Sequence, residues 1–231
     1  MSDLDYPVSL AVEDFVPVLL TALAAVRLVA PAARTGTTGR TLAASGAVLI
    51  AAGGLSKAGW KLIVALEGPD IQALNKALFP LLSAGFLLLA LALLRFPLPG
   101  TDGSGSRGGR LPAVFAGLWA VAATASAALA STVPVMALTI AGVTVVAVRL
   151  ILLARVAGDT LAASAAGFWL LGMYVLGPLA GPDQSVTLQW VEQSCNTLTQ
   201  AAALFAAWRL APVLCAPADP AFLPPHPIPG R

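Results

Sequence analysis

The residues of this chain that could do chemistry are few, and they fall in apolar surroundings. Of 13 basic residues, Lys57, Lys61 and Lys76 are the lysines. Lys57 and Lys61 are four apart, so on a helix they share one face. Two ammonium groups on one face repel and call for carboxylates or an anion between them. Glu13, Asp14, Glu67 and Glu192 are candidate counter-charges. Glu192 opens a stripe with Asn196, Thr199 and Gln200, whose spacing of i, i+4, i+7 and i+8 is one helical face. Asn75 and Trp60 fall near the same level. This pattern predicts an outward-facing polar cavity lined by Lys57, Lys61, Asn75, Glu192 and Asn196, with Trp60 beside it. The excess of lysine suits a small anionic or zwitterionic solute or a lipid headgroup. Structural ion pairing of Lys57 with Glu192 or Asp14 is the companion expectation, because a lysine deep in an apolar helix faces the interior and pairs. The plainer alternatives are lysines snorkelling to headgroups, an aromatic belt of Trp60, Tyr174 and Trp190, and a stripe that glues helices together.

Other chemistries find no residues. Cys195 and Cys215 are the two cysteines and His226 the one histidine. They offer no disulfide framework and no His-based metal or haem site within the apolar segments. No metal site and no cofactor are expected. A Lys57–Glu192 acid–base couple has no nucleophile fixed beside it, so an enzyme reading is thin. Gly103 to Gly109 precedes no strand–helix unit and reads as a linker, not a phosphate loop. A net charge of +2 gives no basic surface for nucleic acid.

The elements that must position the lysines are transmembrane helices. The chain is 58% hydrophobic and 10% charged, with a mean hydropathy of +0.86. A soluble domain carries about 25% charged residues. Lipid is the solvent that tolerates this composition, and about 20 apolar residues cross it as a helix. Seven candidate spans run over 12–31, 42–66, 73–95, 111–131, 134–155, 160–181 and 187–211. Arg27, Arg34, Arg40, Arg95, Arg107, Arg110, Arg149, Arg155 and Arg209 flank the odd-numbered connections or close the last helix. Even-numbered connections carry Glu67, Asp70 and Asp183 instead, and the N-terminal segment carries Asp3 and Asp5. The positive-inside rule then puts the N-terminus outside and the C-terminus inside. An acidic start with no basic region reads as a retained helix rather than a cleaved signal. Arg-for-Lys bias and abundant Ala and Gly suggest a GC-rich bacterial genome, and with the apolar spans the expected location is a bacterial inner (plasma) membrane. The sequence thus predicts an all-α integral membrane protein of seven transmembrane helices.

An internal repeat organises those spans. Val16-Pro17-Val18 recurs as Val133-Pro134-Val135, and Leu20-Thr21 as Leu138-Thr139. Thr41 to Ser45 recurs as Thr160 to Ser164, and Gly68-Pro69-Asp70 as Gly181-Pro182-Asp183. The expected plan is a pseudo-symmetric 3+1+3 parallel repeat in a single membrane domain. A first three-helix unit covers 12–95, a flexible cytoplasmic loop 96–110, a linker helix 111–131, a second unit 134–211, and a disordered Pro-rich tail 217–231. The plan is similar to that of sugar transporters of the SWEET type, although their Pro-Gln motif is absent. Microbial rhodopsins are also seven-helix bundles, but their retinal-bearing lysine on the last helix has no counterpart between Thr187 and Ala211. Parallel repeats that frame a central site are one transporter design. A transporter or channel is therefore the leading expectation. The alternatives are an accessory subunit of a membrane complex, as an oligomer or with other chains, and a seven-helix sensor without covalently bound retinal.

Overall fold

A computed structural model describes residues 7–97, 110–179 and 185–216. Most of the expected loop over 96–110, namely 98–109, and the expected tail over 217–231 lie outside the described residues, as does Asp183. Among the described residues the chain is all helix. The helices are α1 (Val8–Glu13), α2 (Phe15–Arg27), α3 (Val29–Ala33), α4 (Thr37–Ala65), α5 (Gln72–Leu94), α6 (Leu111–Ala128), α7 (Val133–Val156), α8 (Thr160–Leu179) and α9 (Val186–Cys215). The first three form one apolar stretch, Val8–Ala33, with short breaks at Asp14 and Leu28. Six stretches are long and apolar enough to cross a membrane, and α8 adds a shorter apolar run over Thr160–Leu176. The chain is that of a multi-pass helical membrane protein.

The turns follow from local backbone chemistry. Three helices end in a left-handed residue followed by the paired hydrogen bonds of a Schellman motif. After α4, Glu67 (φ 59°) takes that place, and the Gly68 N–H donates to Ile63 O at 2.8 Å. After α6, Ala130 (φ 48°) does the same, with Ser131 N–H donating to Ser126 O at 3.0 Å. After α7 the position is Gly158 (φ 69°), with Asp159 N–H donating to Ala154 O at 2.9 Å. Asp159 then caps α8 by accepting from the Ala162 N–H at 3.0 Å, as aspartate does at helix N-termini.

Six helical stretches close into a ring. Val8–Ala33 packs on α4, α4 on α5, α5 on α7, α7 on α8, α8 on α9, and α9 returns to α2. Helix α6 stands outside against α7 and α5, and none of its residues is buried. The tightest seam is between α4 and α5, where glycines let the backbones meet. A Cβ on Gly46 would lie 2.8 Å from Gly85 O, and one on Gly85 would lie 2.7 Å from Ile50 Cγ1. The apolar core fills the ring toward the arginine-bearing end, around Leu89, Leu93, Val146, Leu150, Ala207 and Leu210.

Arginine does more there than flank loops. Arg149 is buried, and its Nη2 donates to Leu93 O at 3.1 Å and Phe96 O at 2.5 Å. Those are carbonyls at the C-terminus of α5, where a cation also meets the negative end of the helix dipole. Arg209 Nε pairs with Asp159 at 2.8 Å, joining α9 to the start of α8. Arg34 donates to Cys215 O, joining the end of α3 to the end of α9.

Candidate functional site

The opposite end of the ring opens into a cavity of about 200 Å³. Four stretches build most of it. Asp14, Pro17, Val18 and Thr21 come from the first, Ile50, Gly54, Lys57, Ala58 and Lys61 from α4, Leu78, Leu82 and Phe86 from α5, and Glu192, Gln193, Asn196 and Gln200 from α9. Helix α8 adds Met173. The helical period explains the selection. Gly54, Lys57, Ala58 and Lys61 stand at i, i+3, i+4 and i+7, as do Leu78 and Leu82 at i and i+4 on α5. Glu192, Gln193, Asn196 and Gln200 are the same kind of stripe on α9.

Polarity is segregated along the cavity. Asp14, Lys57, Lys61, Glu192 and Gln193 occupy the mouth. Ile50, Leu82, Phe86 and Met173 form a mainly apolar floor, beside which Gln200 also lines the space, its amide 3.3 Å from Met173 Sδ. Lys61 Nζ pairs with Asp14 Oδ2 at 2.5 Å, both side chains being largely buried. Lys57 sits one helical turn deeper, within electrostatic reach of Lys61, Asp14 and Glu192. The formal charges lining the cavity therefore balance, two ammonium groups against two carboxylates. The excess of lysine expected from the sequence does not arise, because Asp14 and Glu192 line the same space. Glu13 is engaged beside it, accepting from the Thr197 hydroxyl at 2.7 Å and tying α1 to α9.

Gln193 is a residue that the sequence pattern did not single out. Its side chain is buried and lines the cavity, and its Nε2 has no hydrogen-bond partner among the described residues. A buried amide donor without an acceptor costs about 1–3 kcal/mol, so it is primed to donate to a guest. Its position next to Glu192, at the edge of the polar stripe, is the signal that could have found it. Gln200 is satisfied in contrast. It accepts from Trp169 Nε1 at 3.2 Å and donates to Asn196 Oδ1 at 3.1 Å. Thr199 faces Gly172 of α8, where a Cβ would lie 2.2 Å from its hydroxyl. It serves helix packing and is not among the lining residues.

Two other expected residues stand elsewhere. Trp60 is buried but does not line the cavity. Its indole N–H donates to Asp70 Oδ1 at 2.7 Å, clamping the α4–α5 turn. Together with the Gln72 amide, that bond holds the Asp70 carboxyl below the ordinary carboxylate range. Asn75, at the start of α5, is likewise not among the lining residues. Lys76 is exposed.

The cavity ends blind. Phe86 closes its floor and packs against Trp169, ring centroids 6.3 Å apart and planes tilted by 40°. Beneath them lies a void of about 20 Å³ lined by Thr21, Ala24, Leu28, Leu89, Trp169 and Ala207, among others. That is space for one or two waters, and Thr21 brings the one hydroxyl to otherwise largely apolar walls. Among the described residues no three His, Cys, Asp or Glu side chains converge as a metal site. Compared with known proteins, the chain matches no family model, no curated protein and no solved structure.

Proposed function

We propose that this multi-pass membrane protein is a transporter for a small zwitterionic or anionic solute, and that the solute binds in the cavity under Lys57, Lys61, Glu192, Gln193 and Asn196. The observation that carries this reading is the charge balance of a cavity with a charged mouth and a mainly apolar floor at Phe86 and Met173. A lone anion would meet Glu192 and Asp14 as well as the lysines. A zwitterion can set its anionic group toward Lys57 and the Gln193 amide, and its cationic group toward Glu192. The Phe86–Trp169 floor supports a carrier over an open channel, because the space beyond it among the described residues is a void of only about 20 Å³. Seven spans, an outer N-terminus and a cytoplasmic C-terminus in a bacterial plasma membrane complete the reading. The 3+1+3 parallel repeat belongs to the same reading and rests on the recurring sequence segments.

The test is a thermal-stability screen of the detergent-purified chain against two panels, zwitterionic α-amino acids and betaines in one and simple carboxylates in the other. A ligand held at 100 times its Kd stabilises by about 2.7 kcal/mol. For a chain of this size that is a shift of several degrees, at about 2–4 °C per kcal/mol. The shift should appear with zwitterions and vanish in Lys57→Met. Uptake of the same solute into proteoliposomes distinguishes a carrier from a receptor. No shift with either panel would sink the proposal.

A second reading is favoured by α6. A helix with no buried residue is well placed to meet another chain, which suits a subunit of a membrane complex. Co-purification of a stoichiometric partner that is lost when α6 is resurfaced, with no solute response, would favour it.

A further inference from the structure

A second site lies on the outside of the ring, at the arginine-bearing end, and does not depend on the cavity reading. Helices α2 and α9 pack side by side, and their outer faces leave an apolar groove of about 330 Å³ between Leu20, Leu23, Leu204, Phe205 and Trp208. Leu20 to Arg27 and Ala201 to Trp208 are each seven helical steps apart, so the groove runs about 10 Å along the helices. At its end it meets a recess of about 680 Å³, which shares Arg27 and Trp208 with it and adds Arg209 and Asp159 among apolar residues such as Val26 and Val213.

The charges of the recess are unequal in availability. Asp159 is spent, since one oxygen accepts from Arg209 Nε and the other from the Ala162 N–H. Arg209 uses Nε on Asp159 and lies over the Phe205 ring at 5.8 Å, which leaves its terminal nitrogens to a guest. Arg27 is exposed and has no hydrogen-bond or ion-pair partner among the described residues. The recess thus keeps one uncommitted guanidinium and part of a second, beside an exposed Trp208 (54% exposed).

We propose that this groove and recess bind one anionic phospholipid, its phosphate between Arg27 and Arg209 and an acyl chain along Leu23, Leu204 and Phe205. Charge complementarity selects this occupant. A neutral helix from another chain would leave Arg27 unanswered, whereas guanidinium groups take phosphate oxygens in bidentate pairs. A tryptophan beside the phosphate suits the headgroup level.

The experiment uses the full chain, delipidated in neutral detergent and titrated with phosphatidylglycerol or phosphatidylcholine, with bound lipid read by native mass spectrometry. Wild type should hold one phosphatidylglycerol more tightly than Arg27→Gln by about fivefold, the worth of one basic residue near an anionic headgroup. Phosphatidylcholine should bind equally to both. Arg27 is exposed and makes no hydrogen bond or ion pair among the described residues, so the variant is expected to fold, which its melting curve checks. Arg155→Gln, an exposed arginine at the same end but outside the groove, should behave as wild type. Equal loss in Arg155→Gln would mean a diffuse charge effect and overturn the site. Equal retention in Arg27→Gln, or full displacement of the lipid by inorganic phosphate at equal concentration, would overturn it as well.

Discussion

At the scale of single residues, the pairing of lysines with acids departs from what spacing implies. Four-residue spacing correctly joins Lys57 and Lys61 on one face of α4. It does not say which acid meets which lysine, because that depends on how Val8–Ala33 is placed against α4. The partner of Asp14 is Lys61, at 2.5 Å. A largely buried pair has a characteristic energetic signature. Removing one partner of a buried pair costs up to about 3–5 kcal/mol, whereas neutralising both is often nearly without cost. Asp14→Asn should therefore lower the thermal midpoint in detergent by on the order of 10 °C. Asp14→Asn combined with Lys61→Met should recover most of that loss. If the two single losses instead add, the pair is not coupled in solution. Gln193 and Arg149 were less legible for different reasons. An amide is common on polar helix faces, and its lack of a partner is a property of the packed state. Arg149 reads as a loop-flanking charge, yet it caps α5 from a neighbouring helix, a contact between positions 53 and 56 residues apart in the chain.

Element by element, hydropathy marks the helices closely, and their ends come from backbone chemistry that hydropathy does not see. Gly158 signals a left-handed stop after α7. Glu67 and Ala130 fill the same role without glycine, so their turns are less visible in the sequence. The α7–α8 turn illustrates how one residue serves two elements. Asp159 caps α8 and holds Arg209 of α9, and the Arg209 hydrogen bond, followed by that of the Ala162 N–H, holds its carboxyl below the usual value of 3.8. The sign follows directly. A carboxyl depressed in the folded state contributes stability fully above its unfolded value, and that contribution disappears as pH falls below 3.8 through the folded value. The thermal midpoint of wild type should accordingly fall between pH 5 and about pH 3 more steeply than that of Asp159→Asn. Asparagine keeps the N-cap oxygen but does not titrate. Parallel melting curves for the two proteins over that range would count against the Asp159–Arg209 bond.

For the whole molecule, the axis of the ring decides what the protein can do, and no local pattern reveals it. Phe86, Trp169, Leu89 and Leu150 each read as one more apolar residue in an apolar span. Only closure of six stretches into a ring brings Phe86 and Trp169 together beneath the cavity. The packing there is unforgiving, since a Cβ on Gly142 would lie 3.1 Å from Phe86 Cβ. The phenyl ring separates the polar space that holds Lys57 and Asn196 from the small void above Leu28 and Ala207. Shortening it joins the two spaces and thins the apolar barrier between the ends of the ring. A carrier with a thinned barrier leaks. Proteoliposomes containing Phe86→Ala should pass a small zwitterion down its gradient faster than wild type and with weaker saturation. Phe86→Leu, which keeps most of the volume, should stay close to wild type. The truncation also creates a core cavity, at a cost of about 3–5 kcal/mol, so the comparison belongs well below the lowered melting temperature. A folded Phe86→Ala protein as tight as wild type would show that the barrier lies deeper, among Leu89, Val146 and Leu150, and that Phe86 only floors the cavity.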